Sequence, residues 1–439
     1  MRSLLLIVAG RKVLFDDNES PQPATLVINT STGKIQEIRP VYTTKESATI
    51  PAEANARWVD AGDRLVIPGL VDAHVHLNEP GRTDWEGFWT GTRAAASGGV
   101  TCVVDMPLNS IPPTTTLENF ETKKKAAQGQ CFVDVAFWGG VIPGNEEFPC
   151  VNSQDIRKAM DRLQKTKVPL LFHAELASEN SNQDVSSLDP TLYSTFLQSR
   201  PQTLESDAIK EIISLHADYP DLRTHVVHLS ASSALPSVRA AKKSANFTIE
   251  TCFHYLCLEA DDIPHGHPEF KCCPPIREAA NREELWAALK DGTIDCIVSD
   301  HSPSVAELKC LDDGNIMKAW GGCSSLGLGL SLLWTEAQKR GDIALADIVR
   351  WTSRKTAEHA GLAARKGQLR EGYDADLVIF DPDASWTVTK EQMNFKNKLS
   401  PYEGLTLRGR VEQTWLRGGL AYDVASSDQF ASQPRGQLL

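Results

Sequence analysis

Seven apolar runs constrain this chain more than any other feature. They span 65–76, 99–109, 131–141, 168–175, 223–230, 246–255 and 293–302. Each is rich in aliphatic residues and lacks strict alternation, as parallel strands covered on both faces require. Between most of them lie stretches with helical spacing of apolar residues, among them DWEGFWTGTRAAASG, SQDIRKAMDRLQKT, ESDAIKEIISLHADY and REELWAALKDG. The pattern predicts an α/β fold, and the segment from 67 to 360 exceeds the roughly 250 residues of a typical (β/α)8 barrel. Closure of such a barrel wants eight strands. The sequence offers seven.

The two ends read differently. LLLIVAG, ATLVIN and GKIQEIRP near the start, and DADLVIFDP, RVEQTWLRG and GLAYDV near the end, are short strands between turns. The flanks are expected to build one small β-sandwich domain, residues 1–66 plus 365–439, around a barrel over 67–364. With 45 basic against 57 acidic side chains the formal net charge is −12. That balance argues against binding nucleic acid or an anionic membrane as the main task. The ten cysteines form no CxxC pair, and several sit inside apolar runs, which suits reduced thiols. No stretch approaches the roughly 18 apolar residues of a membrane helix. RKVLFDD also stands where a secretory leader would be cleaved. The expected compartment is the cytoplasm, with an organelle address left open.

Polar residues gather at the C-terminal ends of the runs. The first ends in Asp72-Ala73-His74-Val75-His76, and alternation along a strand puts His74 and His76 on one face. His173, His228 and Asp300 close three later runs. In a parallel barrel those ends share the face where catalytic groups collect. Four imidazoles and a carboxylate suit a borderline divalent ion such as zinc. His225 has the opposite parity to His228 and is expected to point away. His216, His265, His267 and His359 are expected at the surface or at helix ends, and His254 and His301 beside the ligands or the substrate. Asp374 and Asp376 are expected to be structural.

Two longer patterns carry a family resemblance. Val71–His76 with the following LNEPGR, and Ser299–Pro303, resemble the amidohydrolase superfamily. EPGRTDWEGF (79–88), Met106–Asn109, KCCPPIR (271–277) and NIMKAWGG (315–322) resemble the allantoinases, a branch of the cyclic amidohydrolases. The resemblance runs from the first strand to about Gly436. It implies a TIM-like barrel with a small β-sandwich, and hydrolysis of the cyclic amide of allantoin to allantoate in purine catabolism. It also implies two zinc ions per subunit and a homotetramer. His74, His76 and Asp300 would hold the more buried ion, and His173 and His228 the second. Asp300 would shuttle the proton of the attacking hydroxide, and Asn109, Ser302 and Cys272 would contact the substrate. A dihydropyrimidinase or dihydroorotase, or an inactive assembly partner, are the alternatives.

Relatives of this kind carry, between the third strand and the His173 strand, a segment whose lysine is carboxylated and bridges the two metals. Here Val141–Asn145 runs straight into Glu146–Pro149, and no bridging lysine is present. The deficit is about one strand–helix unit, roughly 25 residues. It accounts for seven strands instead of eight. It also predicts a single ion, or weakly held ions, where the resemblance implies two.

Overall fold

The first apolar run is cut in two at Gly69. β4 (Arg57–Pro68) ends there and β5 (Leu70–Val75) begins. A Cβ at position 69 would lie 2.2 Å from Thr101 Oγ1, so the close approach requires glycine. The computed structural model of the chain describes residues 4–15, 20–47, 55–141, 151–176 and 184–439. β4 belongs to a sheet built from both ends of the chain, and β5 opens the barrel.

The terminal sheet has seven strands. Besides β4 it contains β1 (Leu5–Val13), β2 (Gln22–Asn29), β3 (Lys34–Arg39), β12 (Leu377–Thr387), β13 (Thr406–Leu416) and β14 (Gly419–Asp423). Their order is β14-β13-β12-β4-β1-β2-β3, with β1 and β4 parallel and the other pairs antiparallel. The period-two sets Leu6/Val8, Leu26/Ile28 and Leu377/Ile379 join Trp415 in one apolar core on a single face. Lys366 Nζ ties this sheet to the barrel. It lies 2.7 Å from Asp134 and from Asp376 and 3.1 Å from Asp374, so the aspartate pair near position 375 serves structure, as expected.

Seven parallel strands stand among the described residues of the barrel. Beyond β5 they are β6 (Val100–Asp105), β7 (Asp134–Phe137), β8 (Leu170–Phe172), β9 (Thr224–Val226), β10 (Phe247–Cys252) and β11 (Cys296–Val298). Each falls inside one of the seven apolar runs, and β5 and β6 are buried at every position. The expected helices form at Phe88–Ser97, Ser153–Leu163, Thr203–Asp218 and Ala279–Lys290. Asn152 starts the second of these, its side-chain oxygen accepting the amides of Gln154 and Asp155 at 2.9 and 3.1 Å.

The strands form two hydrogen-bonded groups, β5-β6-β7 and β11-β10-β9-β8. On one side the groups join. The His76 amide donates to His301 O at 2.8 Å, and the Ser299 amide donates to the Asp72 carboxylate at 3.1 Å. On the other side β7 and β8 share no ladder, and this is the side on which a strand was expected to be missing. The junction at 142–150 lies outside the described residues. The free edge of β7 is nevertheless occupied. The Val135 amide donates to Gln437 O and the Leu439 amide to Val135 O, both at 2.9 Å, so residues 437–439 run parallel to β7. Gly436 permits this approach, since a Cβ there would sit 1.9 Å from Val133 O. Among the described residues, no helix is long and apolar enough to cross a membrane.

Candidate metal centre

The C-terminal ends of β5, β8, β9 and β11 bring the five predicted ligands together. His74 Nε2 lies 3.2 Å and His76 Nε2 3.5 Å from Asp300 Oδ1. His173 Nδ1 lies 3.0 Å from His228 Nε2. The His74 ring links the two groups, with its centroid 5.4 Å from that of His228. His74, His228 and Asp300 are buried, while the His173 side chain is 51% exposed.

Backbone geometry explains how side chains from different strands converge. His228 has φ 41° and Asp300 φ 43°. A non-glycine residue in this left-handed region costs roughly 1–2 kcal/mol, and such conformations cluster at functional sites. The same turn overturns the parity argument about His225. Because the chain leaves the extended conformation before His228, His225 does not point away. Its Nε2 lies 3.1 Å from Glu250 Oε2, and Glu250 Oε1 lies 2.6 Å from His74 Nδ1.

The far nitrogen of each ring has its own environment. His74 Nδ1 meets Glu250. His76 Nδ1 meets the Asn109 amide at 3.2 Å, and His173 Nε2 meets Glu175 at 2.9 Å, which Arg200 also holds at 2.7 Å. His228 Nδ1 has no hydrogen-bond partner among the described residues. If the Asn109 amide is turned so that its unpaired Oδ1 faces the ring, it accepts Nδ1–H and leaves His76 Nε2 bare. Carboxylate or amide oxygens on the far nitrogen are the usual supports of metal-binding imidazoles. The donor set therefore fits a borderline divalent cation.

The groups at these strand ends shift one another strongly. Burial alone would push the Asp300 carboxyl up, but His74, a hydrogen bond from His76 and His228 hold it well below the usual carboxylate range. Burial opposes a charge on His74, yet Asp300 and Glu250 raise it to about 9. His228 moves the other way, to about 3, through burial and the neighbouring His173. Glu175 is lowered to about 2 because its partners His173 and Arg200 outweigh burial.

Several expectations about other residues change. His359 ends a helix as expected, Lys355–His359, but it is buried and its ring stacks on His225 at 3.7 Å. His216 is buried as well, bonded to Thr224 and Ser244 at 3.0 and 2.9 Å. His265 and His267 are exposed, as expected. His301 accepts the amides of Ser325 and Leu326 and faces Glu86, so it anchors a turn and is not placed to touch substrate. His254 is buried with neither ring nitrogen paired among the described residues, and it shares a possible cation-binding group with Cys252 and Asp300. Ser302 and Cys272 are buried, and the Ser302 amide donates to Cys323 O at 3.1 Å. The buried lysines Lys271 and Lys309 are spent on backbone carbonyls of Met317, Trp320 and Gly322.

Glu250 and Glu175 were missed in the sequence. Both left a signal: Glu250 is an acid in the middle of the apolar run NFTIETC, and Glu175 follows His173 at strand period two.

A barrel with imidazoles and a carboxylate at its strand ends defines a class, and the comparisons agree. The amidohydrolase family model matches residues 65–167 and 142–421, and the chain belongs to that family. Within it the similar proteins are allantoinases. That of Saccharomyces cerevisiae is 43% identical over 96% of this chain and 96% of its own length. That of Streptomyces avermitilis is 43% identical over 100% of this chain and 99% of its own. The mitochondrial allantoinase of Aquarana catesbeiana is 48% identical over 72% of this chain and 70% of its own. The Streptomyces alignment runs over 464 positions against 439 residues, so at least 25 positions hold no residue of this chain. That deficit matches one strand–helix unit in size. Among solved structures, the L-hydantoinase (dihydropyrimidinase) of Arthrobacter aurescens superposes with a TM-score of 0.89 at 26% identity, over 99% of both chains.

Proposed function

We propose that the chain hydrolyses the cyclic amide of allantoin to allantoate, in the ureide branch of purine catabolism. The observation that carries this is the convergence of His74, His76 and Asp300 with the His173–His228 pair at the barrel's strand ends, in a chain that aligns along its whole length with allantoinases. It is an enzyme of the cyclic-amide hydrolase type.

His74, His76 and Asp300 would hold one zinc ion, and His173 with His228 would hold a second where two bind. A divalent cation bound there would polarise the ring carbonyl and bring the pKa of a water toward neutrality. The chain's own groups supply the rest. Asp300, kept ionised by His74, His76 and His228, takes the proton of the attacking water and returns it to the ring nitrogen, which must be protonated to leave. Asn109 orients the His76 ring. The Ser302 hydroxyl, Asn109 and the backbone at Cys272 receive the polar edge of the substrate. With no bridging lysine, the chain holds one ion, or holds two weakly. The division into a 1–66 plus 365–439 module and a 67–364 barrel, a homotetrameric assembly and a cytoplasmic location complete this reading.

Ring-opening assays on allantoin, dihydrouracil and dihydroorotate separate the candidate substrates. Turnover of allantoin alone is expected. Turnover of dihydrouracil or dihydroorotate without turnover of allantoin would assign the chain to the other ring hydrolases instead.

A further inference from the structure

Below the candidate ligands, a closed circuit of side chains starts and ends at one strand. Glu250 on β10 is fully buried and is the strand's one charged residue. A carboxylate there costs several kcal/mol unless it is paired and hydrogen-bonded. It is paired on both sides. Oε1 meets His74 Nδ1 at 2.6 Å, and Oε2 meets His225 Nε2 at 3.1 Å. The other His225 nitrogen meets Thr248 Oγ1 at 2.7 Å, which fixes that ring too. His225 stacks on His359, and His359 lies 5.3 Å from the Trp138 ring. Trp138 Nε1–H donates to Ala73 O at 2.9 Å, beside His74 in the chain. The circuit therefore returns to the backbone that carries the candidate ligand.

We propose that Glu250 is a positioning residue for the metal centre. Its carboxylate accepts Nδ1–H of His74 and so commits Nε2 of that ring to the cation, while His225, His359 and Trp138 hold the carboxylate and the β5 backbone in register. This rests on the reading of His74 as a ligand. Glu250 lies too deep to meet substrate, and its bond to His74 is short, at 2.6 Å. Support of this kind is worth about 10–100-fold in metal affinity.

Three substitutions in the full chain separate orientation from charge. Glu250→Gln keeps the reach and an accepting oxygen but loses the charge. Glu250→Asp keeps the charge and retracts the oxygen by one methylene. Glu250→Ala loses both. Each is titrated with Co2+ after chelation, and the dissociation constant and visible absorption band are recorded. The Asp and Ala variants are expected to bind Co2+ about 10–100-fold more weakly, with a shifted band, and Gln within a few-fold of the parent. In turnover, kcat should fall for Asp and Ala while KM changes little. Parent-like affinity and band in the Asp variant, together with loss in Gln, would show that charge alone matters and would overturn the proposal. So would a His74→Ala chain that binds Co2+ as the parent does. A parent chain that binds Co2+ through His74 yet leaves allantoin closed would refute the proposed substrate while leaving the role of Glu250 standing, because the cobalt readout does not depend on turnover.

Discussion

Asp300→Asn is expected to lower kcat for allantoin by about 10³–10⁴-fold, the upper part of the range for losing a general acid–base group. The substitution is nearly isosteric, so the packing around His74, His76 and His228 is preserved. What disappears is the anion that those three imidazoles hold ionised. An amide oxygen can still face a cation, although as a poorer ligand, but it cannot take a proton from water and return it to the leaving nitrogen. KM should change far less than kcat, because the loss falls on the transition state. Steady-state kinetics on a folded variant, checked by thermal unfolding, decides the matter. A kcat within tenfold of the parent would remove Asp300 from the proton transfer.

The second large effect should come from adding residues. Inserting a strand–helix unit of roughly 25 residues between Gly144 and Glu147 would place a strand between β7 and β8, which share no ladder among the described residues. With the lysine that the family resemblance implies at its strand end, the unit would offer an anionic group to join the two halves of the site. At present the His173–His228 pair meets the other three candidates where the His74 and His228 rings lie 5.4 Å apart, and His173 is half exposed. Metal content should rise by about one ion per chain, and kcat should rise with it, since a second cation adds its own charge stabilisation. Metal analysis and kinetics on the inserted form provide the check. If neither quantity moves, the shortened barrel is not what limits the site.

Much of this was legible in the sequence. The seven apolar runs became seven parallel strands, because strands buried on both faces leave a continuous aliphatic signature that a surface strand does not. The five ligand candidates were also legible, since His74-x-His76 and the tails at His173, His228 and Asp300 mark strand ends directly. Backbone turns were not. The positive φ of His228 broke the alternation on which the placement of His225 relied, and no local pattern announces a left-handed histidine. His359 was misplaced because its burial comes from the stack on His225, which is more than 100 residues away in the chain. The split at Gly69 was hidden for a related reason, because the apolar residues of β4 and β5 form one run although they serve two sheets. Residues 437–439 on the edge of β7 could not be foreseen either, since a short Gln-Leu-Leu segment carries no strand pattern of its own.

If this chain opens allantoin at a cation held by His74, His76 and Asp300, with His173 and His228 beside it, activity must depend on that cation. The most direct measurement follows allantoin ring opening while zinc is returned stepwise to chelated protein. Turnover should be absent without metal, rise with added zinc and level off below two equivalents per chain. Undiminished turnover in the fully chelated protein, or no turnover at any zinc level, would contradict the account.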